Sequence, residues 1–341
     1  MDIIWSCALT MFLCCWSVLV MNVPTPGSSS FHVLRQKFRL LCLCALAPEI
    51  VFQVALGQFL SANQSKAGFH AAGYTDWSLR HSFYVNMGAI HLRAPDFQKT
   101  FPIDAHQLLY LIRHQYVDYP KVNEDAIKDK NKSDGMLRLI TLLQAIWFVV
   151  NLAARSKQDL AISCMELSTS AWVIFCLGIT ICWSKKPADV ETVEFIVTKT
   201  PLQQILKDGG DKARAPYYNT PLDFISREEW VWSRLWNHGL TYLRACRLVS
   251  PAPERPIQHI GDTANPVVAG WWYALFVLIS LCYFAVFIAA WNFNFPSKTE
   301  RLLWRIASIA APASATAFCF AMFFCATWYP LLRDKWQKSS S

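Results

Sequence analysis

The chain has 341 residues, of which 54% are hydrophobic, 14% aromatic and only 16% charged. Soluble domains average about 25% charged residues, so this composition excludes an ordinary soluble enzyme. The 15 Trp, 22 Phe and 11 Tyr exclude a disordered chain. The net charge of +8 does not indicate a nucleic-acid partner, because the Lys and Arg residues are scattered and form no basic stripe. The apolar residues cluster in blocks, which is typical of a membrane protein.

The apolar blocks are long enough to cross a hydrocarbon core of about 30 Å, which takes roughly 20 helical residues. Each crossing must be helical, because lipid offers no partners to backbone polar groups. The sequence therefore predicts an all-α fold, a polytopic transmembrane helix bundle with six or seven spans in one domain over 1–341. The predicted spans are 3–21, 40–60, 137–154, 160–183, 270–291 and 306–328.

Two polar segments, 61–136 and 184–269, separate these blocks. Neither shows enough periodic apolar sequence to predict a core of its own, so both are predicted to be polar loops. Within the first loop, 105–117 has Leu108, Leu109 and Ile112 on one helical face. This spacing predicts an amphipathic helix at the membrane surface.

The charges around the first blocks give conflicting signals of topology. The first loop carries Arg35, Lys37 and Arg39 without an acidic residue, which favours a lumenal N-terminus. The second loop would then be lumenal, and its sequons predict glycosylation at Asn63 and Asn131. Six spans would place the basic C-terminal tail in the lumen, so either a re-entrant segment exists or one span is assigned wrongly. The predicted location is the endoplasmic reticulum or another endomembrane.

Polar side chains inside the predicted spans mark candidate functional positions. An ionisable group at the centre of a span costs at least about 2.5–3.5 kcal/mol, so few persist without a use. Glu49 and Gln53 are one turn apart and share a helical face. The other candidates in or at the ends of the spans are Glu166, Gln144, Asn151, Trp147, Phe148, Trp291 and Asn292.

These residues predict an aromatic interior that contains carboxyl groups. A carboxyl group in a low dielectric keeps its proton at neutral pH and can act as a general acid. Aromatic rings stabilise a nearby cation by about 2 kcal/mol or more when the site is dry. The combination suits acid-initiated carbocation chemistry. In the alternative interpretation, Glu49 and Glu166 are structural and hydrogen-bond neighbouring helices.

A polar and aromatic cluster lies outside the spans, over 76–84. Asp76 and His81 are candidates for an acid–base pair at the membrane face, and a capped, solvated loop is the alternative. The sequence has no aspartate-rich diphosphate motif, DxDD acid motif, nucleotide-binding glycine motif or GxSxG elbow. Its His spacing does not match a zinc helix, so the sequence predicts neither a metal nor a cofactor.

Several blocks resemble, in the same order and over nearly the whole chain, those of a large group of fungal multi-pass membrane proteins. The matching blocks are Ile3-Ile4-Trp5-Ser6-Cys7 through Asn22-Val23-Pro24, Ala47-Pro48-Glu49, Trp77 to Gly88 (W-x3-H-x-FY-x2-MG), Asp129-Lys130-Asn131-Lys132-Ser133-Asp134, Gln144-x2-Trp147-Phe148, Glu166-Leu167-x-Thr169, Trp183-x2-Lys186-Pro187 and Ala290-Trp291-Asn292-Phe293-x-Phe295-Pro296. The chain lacks the His residues that are common in this group near Val20 and Phe287.

The group resembles, and is identified as including, the membrane-bound terpene cyclases of ascofuranone- and macrophorin-type meroterpenoid biosynthesis. These enzymes close rings on prenylated substrates by protonating an epoxide or a terminal olefin, without a metal. The resemblance implies a metal-independent cyclase of fungal secondary metabolism, an intramolecular isomerase or lyase. Its implied partners are a lipophilic prenylated substrate and the lipid bilayer, with no cofactor.

The mechanism expected from these residues has three roles. Glu49, Glu166 or Asp76 donates a proton, and the aromatic side chains stabilise the cation. A second polar group takes the final proton or orients a hydroxyl group. Candidates for this role are Gln53, Gln144, Asn151 and His81, and the aromatic candidates are Trp147, Phe148 and Trp291. The alternative from another class is a non-enzymatic membrane scaffold or transporter accessory protein.

Overall fold

A computed structural model gives the fold of the chain. It describes residues 2–120, 122, 124, 127, 132–158, 160, 162–188, 190, 192–214, 217–226, 244, 246, 254–263, 268, 270–293, 295 and 297–339. Within these ranges, the side chains of 2–3, 132–134, 318–319 and 322–339 are not described.

The described part of the chain is mostly helical and contains one small sheet. Its elements are α1 (Asp2–Val18), α2 (Ser30–Leu46), α3 (Pro48–Ala71), α4 (Leu79–Asn86), β1 (Ile90–Ala94), β2 (Phe97–Pro102), α5 (Ala105–Arg113), α6 (Lys132–Lys157), α7 (Cys164–Cys182), β3 (Glu194–Val197), α8 (Leu202–Asp208), α9 (Asp211–Arg214), α10 (Asp223–Ser226), α11 (Trp271–Ala289), a 3-10 turn (Ala290–Asn292) and α12 (Lys298–Ser339).

Three helices of the described part are long and apolar enough to cross a membrane: Gly135–Lys157, Cys164–Cys182 and Trp271–Asn292. They confirm the predicted helices over 137–154, 160–183 and 270–291. The block at 3–21 forms the shorter apolar helix Ile4–Val18, and 306–328 lies within α12. The count in the described part is therefore three, or four if α2 and α3 form one broken span, and not six.

The block predicted as a span over 40–60 is broken in the middle. Axes of α2 and α3 differ by 113° across a single residue, Ala47. The cause is Pro48, which has no backbone N–H and disfavours helical geometry in the residue before it. Ala47 accordingly has φ −143° and ψ 68°, and its N–H closes α2 by donating to the Leu43 carbonyl. The chain then restarts as α3 with proline in the first turn, where proline is tolerated.

Contacts along α7 show the direction of its neighbours. The thiol groups of Cys14 in α1 and Cys176 in α7 are joined by a hydrogen bond and not by a disulfide. Beyond the end of α7, Lys186 Nζ donates a hydrogen bond to the Val20 carbonyl. Residue numbers therefore rise in the same direction along α1 and α7, so the two helices run parallel. Their C-terminal ends lie at the same face of the bundle.

The direction of α3 follows from the same comparison. Phe52 packs on Phe175 with ring centroids 5.6 Å apart, and Gln58 Oε1 accepts from Trp183 Nε1 at 3.1 Å. Thus α3 also runs parallel to α7. Because Pro48 precedes Phe52 by one turn, α3 starts about one turn before the level of Phe175, near the middle of the 19 residues of α7.

The end of α2 lies at the same depth. The Cys44 carbonyl accepts a hydrogen bond from the Trp172 indole at 3.0 Å. The start of α2 follows a turn after Val23, whose N–H donates to the Met87 carbonyl beside the sheet. These contacts favour a re-entrant loop over a broken span, in which the chain enters from the sheet's face along α2, turns at mid-depth and leaves towards the same face along α3. We call α2 and α3 the re-entrant pair.

The polar segments do not remain loops. They supply a three-stranded sheet of order β2-β1-β3, in which Leu92 pairs with Phe101 of antiparallel β2 and with Ile196 of parallel β3. The sheet corrects the all-α prediction. Around it lies a second buried hydrophobic cluster, separate from the one between the membrane-type helices. The prediction that these segments lack a core is therefore wrong.

Helix α5 belongs to this second cluster. Asp104 caps it by accepting from the Gln107 N–H at 2.8 Å, and the Gln107 side chain accepts in turn from the Asp104 N–H. The apolar face predicted for the membrane surface, with Leu108, Leu109 and Ile112, is buried in the protein instead. The helix packs against α3, α4 and α10.

Contacts between Cα atoms divide the chain into two compact units. The first consists of Met1–Ser226 and Arg255–Val286, and the second of Arg227–Glu254 and Phe287–Ser341. The first unit contains the re-entrant pair, α6, α7 and the sheet. The single domain over 1–341 stays a prediction.

We predict that the segments before and after the re-entrant pair face the same side of the membrane. Cysteines introduced as Ser28→Cys and Thr75→Cys, in a background where the exposed Cys42, Cys246 and Cys282 are replaced by Ser, should react alike with a membrane-impermeant maleimide in sealed vesicles. Gln158 follows the C-terminal end of α6, whereas Arg138 near its start contacts Trp183 at the face of Ser28 and Thr75. Gln158→Cys should therefore show the opposite accessibility: it reacts only in opened vesicles if Ser28→Cys and Thr75→Cys react in sealed ones, and in sealed vesicles if they do not. Opposite labelling of Ser28→Cys and Thr75→Cys would mean that 40–60 crosses the membrane.

Candidate active site at the tip of the re-entrant pair

Glu49 lies in the first turn of α3, directly after the break. Its side chain is partly exposed. Among the described residues, no other side chain or backbone group forms an ion pair or a hydrogen bond with its carboxyl group. The neighbouring side chains of Leu46 and Ile50 are 86% and 44% exposed, so the outer surface of the tip is apolar and open. A lipophilic molecule in the bilayer can therefore reach this position from the side.

An aromatic cluster lies beside Glu49. Phe52 of α3 packs against Phe175 of α7 and Phe276 of α11, with ring centroids 5.6 and 5.9 Å apart. Phe175 also packs against Tyr283 at 4.8 Å, and Tyr283 is within electrostatic range of Glu49. We call Phe52, Phe175, Phe276 and Tyr283 the aromatic cluster. It joins an acid to cation-stabilising rings from three helices.

Gly178 makes room for this cluster. A Cβ atom at Gly178 would lie 2.6 Å from Cε2 of Phe52, a distance that real side chains do not tolerate. Phe52 is only 2% exposed and cannot move aside freely. The close approach of α3 to α7 therefore depends on the missing side chain.

Glu166 has a different environment, although it was an equal candidate from sequence. Its Oε1 pairs with Arg155 Nη1 at 3.1 Å, and its Oε2 accepts from the Ser163 N–H at 2.8 Å and the Ser163 hydroxyl at 2.9 Å. Ser163 in turn caps the first turn of α7. This is a capping box, in which a carboxylate satisfies free N-terminal N–H groups. These contacts fit the structural alternative.

Asp76 and His81 do not contact each other in the described structure. Asp76 is exposed and accepts a hydrogen bond from the Tyr119 hydroxyl at 2.9 Å. His81 is buried, its Nδ1 accepts from the Ser78 N–H at 3.1 Å, and its Nε2–H donates to the Val122 carbonyl at 3.0 Å. Both imidazole nitrogens are thus occupied in a helix cap, which fits the structural alternative for this loop.

The polar and aromatic candidates of α6 are divided between two surfaces. Gln144 reaches Thr10 Oγ1 at 3.4 Å and Phe148 is 7% exposed, so these two face α1 and the helix interior. Trp147 is 63% exposed and Asn151 is also exposed, so neither lines the interior. Gln53 is half-buried on α3, one turn after Glu49.

Trp291 and Asn292 belong to the second compact unit. The Trp291 carbonyl accepts from Arg305 Nε at 3.1 Å and its ring lies 5.0 Å from the guanidinium group, while Asn292 is exposed. Of the two sequons, Asn63 is exposed on α3, whereas Ser65 is buried with its hydroxyl bonded within the helix. Asn131 lies outside the described residues. Glycosylation stays a prediction at both.

A buried lysine was missed as a functional candidate. Lys186 is 1% exposed; its ammonium group donates to the Val20 carbonyl at 3.1 Å and to Gln58 Oε1 at 3.0 Å, and lies 4.7 Å from the Trp183 ring. In the sequence it is one of several basic residues that flank an apolar block, which topology alone explains. The block Trp183-x2-Lys186-Pro187 belongs to the resemblance, but the partners of Lys186 are distant in sequence and its burial could not be predicted from that block.

The surroundings of Lys186 tie several segments together. Asp262 Oδ1 accepts from the Asn22 N–H at 2.6 Å, and the Asn22 side chain donates to the Gly261 carbonyl at 3.1 Å. Burial lowers the pKa of Lys186 to about 7, the Asp262 carboxylate opposes this shift, and the Arg138 guanidinium adds to it. We call Asn22, Gln58, Trp183, Lys186 and Asp262 the lysine cage.

Among the described residues, no three His, Cys, Asp or Glu side chains come together as ligands for a metal ion. A small cavity between α1, α6 and α7 is lined by polar residues, such as Ser17, Arg138 and Thr141, and by apolar ones, such as Leu142 and Leu177. It contains none of the predicted catalytic residues. The tip of the re-entrant pair is thus the place where a sequence candidate, an aromatic cluster and an apolar approach coincide.

Residues 1–206 match the model of a family of unknown function, DUF8562, and the chain therefore belongs to that family. The matched region includes the re-entrant pair, the sheet and Lys186. No curated protein and no solved structure matches the chain.

We predict that Gly178→Ala destabilises the protein by roughly 1–3 kcal/mol, because the added methyl group overpacks the contact with Phe52. Thermal unfolding in detergent measures the change. Gly135→Ala is the matched control, since Gly135 is also helical but nothing lies within 4 Å of the position that an added Cβ atom would take. Equal stability of the two variants would show that α3 and α7 are not tightly packed at Gly178.

We predict that Lys186 makes stability depend on pH. In the unfolded chain this amine titrates near about pH 10.4, so between about pH 7 and pH 10 the unfolded state binds more protons than the folded one. Folded stability should therefore rise with pH in this window and be independent of Lys186 titration below it. The stability difference between wild type and Lys186→Met should change by up to about 1.4 kcal/mol per pH unit.

Thermal unfolding of both proteins at pH 7 and pH 9 measures this difference. Taking the difference between the two proteins removes the contribution of groups that titrate identically in both. A difference that is the same at both pH values would show that Lys186 is charged when folded.

Proposed function

We propose that this protein is a membrane-bound, metal-independent terpene cyclase that closes rings on a prenylated, lipophilic substrate, with Glu49 as the proton donor. The observation that carries the proposal is the position of Glu49, which is at a helix break beside the aromatic cluster and has no cationic partner among the described residues. The resemblance to a group of fungal membrane proteins that is identified as including meroterpenoid cyclases supports the substrate class and a place in secondary metabolism.

The proposed reaction begins with proton transfer from the Glu49 carboxyl group. The carboxyl O–H bond breaks as the proton leaves. At a terminal olefin the π bond breaks and a C–H bond forms; at an epoxide an O–H bond forms and the C–O bond to the tertiary carbon breaks. Either step leaves a tertiary carbocation. An internal double bond attacks this cation and closes the ring through a new C–C bond. The Glu49 carboxylate regains a proton from the final cation, so substrate and product have the same mass.

The aromatic cluster has the second role. Ring faces attract a cation through their quadrupole, and unlike carboxylates they do not trap it as an ester. Phe52 and Phe175 lie on the bundle side of Glu49, and Gln53 on the next turn can orient a hydroxyl group of the substrate. Substrate arrives from the bilayer across the exposed side chains of Leu46 and Ile50.

The other acids are less suited to this chemistry. Glu166 would first have to lose its pair with Arg155 and its bonds to Ser163 before it could carry a proton. Asp76 is exposed to water and accepts from Tyr119. We therefore assign Glu166 and Asp76 to structure and solvent, and His81 to the cap of α4.

Microsomes that contain the protein test the proposal with a farnesylated phenol and its terminal epoxide, analysed by liquid chromatography–mass spectrometry. We expect a new product of unchanged mass. Glu49→Gln, which keeps the shape but removes the acid, should lower the yield by at least about 100-fold. Asp76→Asn is the matched control and should keep the wild-type yield at equal expression.

Two results would contradict the proposal. Full yield from Glu49→Gln would transfer the acid role to another residue, and Glu166→Gln would then be tested first. Absence of any product of unchanged mass from a panel of prenylated phenols and epoxides would favour the non-enzymatic scaffold or transporter accessory protein. That alternative predicts stable protein partners on mild solubilisation.

The proposed location is the endoplasmic reticulum or another endomembrane. The described helices are compatible with a membrane protein, and a lipophilic substrate partitions into the same bilayer.

A further inference from the structure

We propose that the first half of α2 is a binding surface for the headgroups of anionic phospholipids. The surface consists of Arg35, Lys37 and Arg39, and we call it the basic face. The proposal does not depend on the cyclase reaction. It concerns how the entrance to the re-entrant pair is held in the membrane.

The charge of this segment is one-sided. Ser30–Leu46 contains Arg35, Lys37 and Arg39 but neither Asp nor Glu. Arg35 and Arg39 are exposed, and Lys37 is half-buried. None of the three forms an ion pair with an acidic side chain of the described residues. The protein thus presents a group of cations whose counter-charges come from outside it.

An apolar row runs beside the cations. Phe31, Leu34 and Phe38 follow helical spacing on one side of α2 and are 76%, 53% and 58% exposed. An exposed aromatic row next to Arg and Lys is typical of a helix that lies at the boundary between headgroups and acyl chains. A soluble surface would leave this row in water, at a cost that burial in lipid avoids.

The depth of α2 fits the same boundary. Its first residues follow the turn at the face of the sheet, whereas Cys44 has already reached the level of Trp172 in the middle of α7. The basic face lies between these two levels. Lys37 Nζ is 4.4 Å from the ring of Trp16, in the last turn of α1. Trp is itself enriched at membrane interfaces, which supports the same level for both helices.

Charge complementarity identifies the occupant. A zwitterionic headgroup has no net charge to offer, while phosphatidylserine or phosphatidylinositol carries the negative charge that these three cations attract. Arg35 and Arg39 are one turn apart, so both guanidinium groups can approach one phosphate. A bound headgroup would hold the start of α2 at the interface and thereby fix the tip of the re-entrant pair.

Equilibrium binding to the full-length protein in neutral detergent tests this proposal, with fluorescent short-chain phosphatidylserine and phosphatidylcholine as probes. Wild type should bind phosphatidylserine at least about tenfold more tightly, as expected for several cations near an anionic headgroup. The double variant Arg35→Gln/Arg39→Gln should lose at least about fivefold in affinity for phosphatidylserine. Lys37 is kept because it contacts Trp16.

Lys207→Gln/Lys212→Gln is the matched control, because it removes two exposed positive charges from α8 and α9. Its affinity should stay within about twofold of wild type, as expected if binding depends on the basic face and not on net charge. If the α2 variant does not fold, raising the salt concentration on wild type replaces it and should weaken phosphatidylserine binding alone.

Three results would overturn the proposal. Equal affinity of wild type for the two lipids would exclude charge recognition. An equal loss in the control variant would show a non-specific effect of net charge. Displacement of phosphatidylserine by inorganic phosphate at matched concentration would identify a site for free phosphate and not for a lipid.

Discussion

A helix that breaks inside a hydrocarbon layer sets backbone groups free where no water can bind them. The break at Ala47 meets this constraint with its own neighbours. The Ala47 N–H donates to the Leu43 carbonyl, and the Cys44 carbonyl, at the end of α2, accepts from the Trp172 indole at 3.0 Å. Proline as the next residue removes one donor that would otherwise need a partner. The re-entrant pair therefore depends on Trp172 of α7, which donates a hydrogen bond to a carbonyl group at the end of α2.

Because the Ala47 N–H and the Cys44 carbonyl have these partners, the first turn of α3 can lie in the middle of the bundle. That turn holds Glu49, which is within electrostatic range of Tyr283 in the aromatic cluster. The contrast with Glu166 follows from the position of each acid in its helix. Glu166 is the third residue of α7 and completes a capping box with Ser163, where Arg155 is also in reach. Two carboxyl groups in apolar blocks thus have different surroundings, and only one lacks a partner in the described structure.

Helices α6, α7 and α11 were predictable, because each is a continuous apolar segment of at least 19 residues. Pro48 also marked a kink, and Ser163 with Glu166 is a readable capping box. The sheet was not predictable, because its strands have four to six residues and Leu92 pairs with Ile196 about a hundred residues on. The lysine cage could not be predicted either, because its contacts are between residues far apart in sequence. Lys186 contacts Val20 and Gln58, which come together only in the folded chain.

The re-entrant pair also changes the number of times that the chain crosses the membrane. A segment that turns back adds no crossing, so the basic loop before α2 and the polar residues after α3 share one face of the first unit. Loops rich in Arg and Lys favour the cytoplasm, whereas a sequon is glycosylated in the lumen. A re-entrant arrangement therefore sets the basic residues of α2 against the sequon at Asn63 of α3, and only one of the two signals can hold.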